Sequence, residues 1–509
     1  MSRAFNVLCA LTFLFLLLLC FCRTGVDSVN SFPDETIGLL SDSVCVNLLW
    51  LGGVALFAAG LYRTCARLSA AHLRRLAAAV CFFCFAGAVA WILVSGTVPQ
   101  ADQQLVCECA SAFNRGDFSS LQRGQYAAIY RQQLGLITLL RGVFLLFGDG
   151  NFRAFRLLSA LMIPVLVWSG FRITARLSDG DPAAQLLYLL FMVLCVPLYG
   201  YAPYVYGEIC STALCMLAVW LLFLCLERCT PLRCAALGGS IGLAVCLREN
   251  SLILAIAMLL VLCIKLLSSF SVKRLAAAGA VICGVLLFQL GIPAAYRSVT
   301  PADSTSMPAV CWVAMGTHDR GDGWAGWYDA SNVKIFAENG FDPAKTSAAA
   351  KAELRAYAHS CLEDPAGTAK FYYRKIAGQW CTPMYQCTVM NSKFAEKPSP
   401  FVDSVCSGAI NKGLVAFMNI HQMLVFAGVL FLLAARFRKW TAVENYLPLI
   451  CVFGGFLFSI LWEGKTRYVF PYFILMIPCA AAGLCALARF LSSLCEKTIR
   501  TFRAQRSAK

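Results

Sequence analysis

Charge is what this chain has little of. Only 14% of its 509 residues are Asp, Glu, Lys or Arg, and 59% are apolar, whereas a soluble domain carries about a quarter charged residues. That shortage excludes a soluble enzyme, an intrinsically disordered chain and a nucleic-acid-binding body. Histidine is scarcer still, with His72, His318, His359 and His421 as the whole set. No two have zinc-site spacing, and all four are read as structural or solvated. Internal repeats and low-complexity tracts are absent, which removes fibrous architectures.

What is present is apolar sequence in long runs. Twelve of them, near 5–22, 44–62, 76–97, 152–174, 184–200, 206–226, 232–247, 251–268, 275–293, 412–434, 446–462 and 468–488, are about the length that crosses a ~30 Å hydrocarbon core. The expected fold is an all-α polytopic membrane protein of about twelve transmembrane helices. Leu134–Phe147 is shorter and has Arg141 in its middle, so it is expected to lie flat at the interface. The segment after the first run, Arg23 to Asp27, offers no signal-cleavage site, so that run is kept as a span.

Charge sets the orientation. With a cytosolic N-terminus the inner segments hold 21 basic and 5 acidic residues, which is the whole formal net charge of +16, and the outer segments balance. This is the positive-inside asymmetry. It places both termini in the cytosol and two long loops, 98–151 and 294–411, outside. Four regions follow: two additional spans in 1–75, a core in 76–293, the loop domain 294–411, and the last spans with a basic tail in 412–509.

The larger loop carries helix signals, first a run from Thr346 to Leu362 and then Asp364 as cap with Pro365 leading to Trp380. Before them, Thr317 to Tyr328 is rich in glycine and aromatics, suited to packing on the membrane face or to stacking on sugar rings. The 27 cysteines lie mostly in the spans, where cysteine is a small apolar residue. Outside, Cys107, Cys109, Cys311, Cys361, Cys381, Cys387 and Cys406 are open to disulfide pairing in an oxidising compartment, with no pairing assigned. Tyr126 and Tyr130 read as interfacial aromatics.

No ionisable residue sits at a span centre, where charge is costly. At the outer span ends the picture changes. Asp102 follows the third run, Glu208 opens the sixth, Arg248 and Glu249 close the seventh, and Glu463, Lys465 and Arg467 join the last two. Carboxylates and cations gathered at one leaflet boundary suit chemistry on a lipid-linked phosphate; the alternative is that they cap the spans and meet water.

Several stretches keep a recognisable order: Val98 to Gln103, Asn114 to Phe118, Tyr130 to Gly135, Leu146–Phe147–Gly148, then Arg153 and Arg156 entering a span. Pro203 to Glu208, Lys375–Ile376 with Gln379, Trp380 and Pro383, and Arg467–Tyr468 with Pro471 follow. From about 76 to 488 the chain resembles bacterial GT-C glycosyltransferases of the family 39, protein-mannosyltransferase-like group. Two features depart from that pattern: Gln103 stands where the family often has a second acidic residue, and two spans precede the loop.

The resemblance implies sugar transfer, usually with inversion, from a polyprenyl-phosphate donor to a lipid, glycan or protein acceptor on the extracytoplasmic face of the cell membrane. It implies Asp102 as general base and Glu208 as a second functional acid. Arg467, Arg248 and Lys465 would hold the phosphate, with Tyr468 and Glu463 beside them, and a divalent cation, Mg or Mn, is an open cofactor. Two rivals are a polysaccharide polymerase or ligase, and a non-enzymatic flippase or exporter of lipid-linked sugars, which would line its spans with polar residues.

Overall fold

Inside hydrocarbon a backbone has no water to bond, so each long apolar run closes its hydrogen bonds within a helix. The computed structural model describes residues 2–31, 34–65, 68–319, 325–437 and 442–507. Its main helices are α1 Ser2–Cys22, α2 Val44–Cys65, α3 Ala70–Ser95, α4 Asp102–Asn114, α5 Leu134–Phe147, α6 Phe152–Leu177, α7 Pro182–Val193 and α8 Glu208–Glu227. They continue as α9 Pro231–Leu247, α10 Leu252–Ser268, α11 Val272–Ala295, α12 Pro343–Glu363, α13 Pro365–Trp380, α14 Ala409–Arg436, α15 Leu447–Leu461 and α16 Phe470–Ser507.

Among the described residues ten helices are long and apolar enough to cross a membrane: α1, α2, α3, α6, α8, α10, α11, α14, α15 and α16. The chain is therefore a multi-pass membrane protein. The expected spans at 184–200 and 232–247 are the shorter apolar helices α7 and α9. Helix α7 stops at Val193, and Cys195 (φ −78°, ψ 87°) leaves the helical region before a separate short helix, Val196–Gly200; Pro197 sits in the first turn of that helix, where its missing N–H has no partner to lose. Helix α5 has the bounds read from the sequence. Its Arg141 is held by Asn114 Oδ1 at 3.1 Å and Tyr296 OH at 3.0 Å.

Small residues set the helix contacts, as in membranes generally. Gly238 and Gly242 of α9 lie directly on the backbone of α11 at Ala280 and Gly284, and Gly483 of α16 lies on Gly428 of α14, with no room for a Cβ. Charges collect at the two ends of the bundle. At the end away from the loops Lys265 pairs with Glu444 at 2.8 Å and Arg489 with Asp181 at 2.6 Å.

One element departs from the all-helical expectation. Residues 23–31 and 34–41, polar with β-branched residues interspersed, pair as an antiparallel hairpin of β1 Arg23–Ser31 and β2 Asp34–Ser41. The hairpin is docked on the large loop. Gly25 N–H donates to Cys381 O at 2.8 Å, and Gln386 N–H donates to Asp27 Oδ2 at 3.0 Å. Asp42 accepts from Thr24 and from Asn419 of α14, and Asn6 of α1 donates to Tyr446 OH. The first two spans are thus tied to the last three.

In the large loop α12 begins a turn earlier than Thr346. Asp342 caps it by accepting from Ala344 and Lys345, with Pro343 at the first helical position, and Thr346 bonds back to Asp342 O. Asp364 and Pro365 open α13 as expected, with Asp364 accepting from Gly367 N–H at 2.9 Å. The seven loop cysteines are all free thiols. Cys107 and Cys109 share α4 at a spacing of two, which turns them to different faces. Of the glycine-aromatic stretch, residues 320–324 lie outside the described residues.

Candidate functional site

At the loop end of the bundle a cavity of about 960 Å³ opens between the start of α4, the turns 204–206 and 247–250, the last turns of α11, and the loop segments 306–312, 327–330 and 462–468. Asp102, Arg248, Glu463, Lys465, Arg467 and Tyr468 all line it. Six of the seven residues singled out from the sequence therefore share one wall system. Glu208 does not: it lies buried behind Arg248, 3.3 Å from its guanidinium, beside a separate small cavity of about 30 Å³.

Asp102 is the first residue of α4; the N-cap position before it is Ala101 at φ 50°, which makes no side-chain capping bond. Asp102 Oδ2 accepts from Tyr206 OH at 3.0 Å, and Tyr206 OH accepts from Gln133 Nε2 at 2.6 Å. Burial pushes the Tyr206 phenol well above its usual pKa, so it remains a donor. Gln103 is buried and accepts from Val205 N–H at 2.7 Å, which fastens α4 to the tyrosine-rich turn. That contact makes Gln103 a brace.

The cations stack on the same turn. Arg248 and Arg467 lie over the Tyr206 ring at 4.9 and 5.2 Å, and both also face Tyr468. Such contacts favour guanidinium groups held away from water. Arg467 donates to Tyr204 OH at 2.6 Å. Glu208 balances Arg248, and Glu463 balances Lys465 at 3.4 Å while accepting from Tyr468 OH at 3.0 Å. Among the described residues Arg467 has no carboxylate within ion-pair distance, so it is the cation most available to an incoming anion.

The sequence reading missed Tyr206, the hub that touches Asp102 and the cations alike, and Tyr204. It also passed over Glu249 as a site residue, although its exposed carboxylate lines the cavity. The signal for the tyrosines was their place two and four residues before Glu208. Lys375 was noted only for resemblance, and it is buried: its Nζ donates to Gly316 O at 2.6 Å and Ile460 O at 2.9 Å. With Trp380 Nε1 donating to Ser459 Oγ, it bolts the loop domain to the end of α15. Burial pushes the Lys375 ammonium down to about 7.

His318, read as structural or solvated, is clamped between Asp329 and Glu353. His421 is buried against Phe191 O at 3.0 Å. No three His, Cys, Asp or Glu side chains among the described residues converge as a metal cage, and Glu208 is engaged with Arg248, so Asp102 and Glu208 do not make a two-carboxylate cation site. No family model, curated protein or solved structure matches the chain.

Proposed function

We propose that this protein is a GT-C-type glycosyltransferase that moves a sugar from a polyprenyl-phosphate donor to an acceptor hydroxyl. In this reading α7 and α9 are spans like the other ten, both termini are cytosolic, and the cavity faces the outer side of the cell membrane, on the charge asymmetry of the loops. One observation carries the reading: Asp102 and Arg467, a carboxylate and an arginine that among the described residues have no ion partner of opposite charge, line one cavity and meet on one tyrosine, Tyr206.

The chemistry follows from that pairing. The acceptor oxygen forms a bond to the anomeric carbon as the bond from that carbon to the phosphate oxygen breaks. Asp102 takes the acceptor proton, and the phosphate leaves with the bonding electrons. A phosphodiester of one negative charge becomes a monoester of nearly two, so cationic stabilisation has to grow along the reaction. Arg467 meets the first charge, and Arg248, oriented by Glu208, with Lys465 meets the second. No step is routed through a metal ion.

The test is to incubate purified protein with a panel of polyprenyl-phosphate sugars and follow free polyprenyl phosphate. Release with at least one donor, abolished in Asp102→Asn, is the expected result. Absence of release from every donor, with labelled lipid-linked sugar crossing vesicles instead, would replace the enzyme by the exporter.

A further inference from the structure

The segment Ala325–Ala330 crosses the rim of the cavity, and its residues Trp327, Tyr328, Asp329 and Ala330 line it. Two other elements hold it by backbone. Gly326 N–H donates to His318 O at 2.7 Å, and Gly464 N–H donates to Gly326 O at 2.6 Å. Tyr328 then lies under Lys465, with the ammonium 5.4 Å from the ring centroid. The strap thereby completes the wall facing the phosphate-side cations.

Its other end is strained. Ala330 sits in the left-handed region at φ 64°, which an alanine adopts only where its surroundings impose it. What imposes it is Asp329. One of its oxygens accepts from Ser331 N–H at 2.9 Å, and the other is 2.7 Å from His318 Nδ1. The second ring nitrogen of His318 reaches Glu353 on α12. One imidazole thus ties the strap to a helix that takes no part in the cavity wall.

We infer that His318 is a positioning residue: clamped between Asp329 and Glu353, it seats the strap Ala325–Ala330 so that Tyr328 and Trp327 form the wall against which the acceptor or transferred sugar is held. The ionic state agrees with this role. The hydrogen bond to Asp329, then Glu353, against the opposing effect of burial, raises His318 to about 9. Burial works against the Asp329 charge, yet the bonds from His318 and Ser331 bring it down to about 2. Among the described residues the charged groups around this clamp are Asp329 on the strap, Glu353 on α12, and the pair formed by Asp319 with Arg374 of α13. A histidine raised in this way keeps its contribution in full below its unfolded value, about 6.5, and loses it as pH rises through about 9.

The wall's catalytic use rests on the glycosyltransferase reading, and the latch itself does not. Amide hydrogen exchange on the detergent-solubilised full chain reads the latch directly. In His318→Gln, and in Asp329→Asn as a milder variant, exchange across 325–331 is expected to rise about tenfold, the worth of a charge-assisted hydrogen bond, with the spans unchanged. Wild type is expected to show such a rise, corrected for intrinsic rates, between about pH 6.5 and 9, and His318→Gln none. Unchanged exchange in both variants would overturn the latch whatever the protein catalyses. In the donor assay, KM for the acceptor should rise about tenfold with kcat nearly kept. A looser strap with wild-type kinetics would overturn the positioning role. A wild type that transfers no sugar would remove the glycosyltransferase reading and leave the exchange result standing.

Discussion

Replacing Asp102 by Asn separates a general base from a span-end carboxylate that merely meets water. Asn preserves shape, and its amide oxygen can still accept from Tyr206 OH, now 3.0 Å from Asp102 Oδ2. The Gln133–Tyr206 link and both arginine contacts to the ring are untouched. Folding should suffer little, because the bond from Tyr206 that holds the Asp102 side chain survives the change. What is lost there is its charge near the helix N-terminus, worth about 0.3–1 kcal/mol. Turnover is another matter, since a positioned base contributes a factor on the order of 10² to 10⁴. The assay is release of polyprenyl phosphate at saturating donor, so that weak binding is not mistaken for slow chemistry, with the melting temperature measured alongside. A turnover above roughly a tenth of wild type, well short of the cost of losing a base, would refute Asp102 as the base. Glu249, which faces the same cavity, would then be the next carboxylate to test, ahead of Glu208.

Arg467→Lys should lose at least tenfold in kcat despite retaining charge, because an ammonium cannot reproduce a planar fork over Tyr206 and Tyr468; wild-type turnover in an inserted, folded variant would take Arg467 out of the site. Tyr206→Phe strands the buried Gln133 amide and removes a donor to Asp102, so activity should fall about ten- to a hundredfold, and combined with Asp102→Asn the losses should not add; full additivity would mean that the two act independently. Lys375 has a depressed value, about 7, so its unfolded form binds the extra proton between about 7 and 10.5 and stability should rise with pH there, by at most about 1.4 kcal/mol per unit. That slope should vanish in Lys375→Met, and an identical pH profile of melting in the two proteins would show that the amine does not titrate with unfolding. Thiols engineered at Gly116 and Leu362 in a cysteine-depleted chain should label from outside, and one at Ala504 should not; labelling at 504 would overturn the proposed orientation.

The helices were legible because hydrocarbon allows few solutions: a long apolar run with no central charge becomes a helix, and α1, α8 and α10 lie close to where the runs lie. The cluster Asp102, Arg248, Lys465 and Arg467 was legible for a related reason, since the orientation rule brings these span ends to one plane. Glu208 shows the limit. Its position in sequence places it at the right height, but whether it faces the cavity or backs Arg248 depends on the rotation of α8, which an all-apolar helix does not announce. The hairpin escaped because residues 23–41 lack a strong alternating pattern and take their order from Cys381 and Gln386, more than 340 residues later. His318 escaped in the same way, its partners lying 11 and 35 residues downstream.

The docking of that hairpin bears on how the protein is made. Residues 23–41 leave the ribosome early, and their partners Cys381 and Gln386 follow after about 350 more residues, roughly 20–70 s at ordinary elongation rates. For that interval the segment that will form the two strands lies at the loop end of a half-built bundle with its docking groups unpaired, and it is the arriving loop domain that orders it. Assembly therefore runs from an N-terminal segment that waits to a later closure, and the cavity acquires its full wall only once the segment 462–468 has been made.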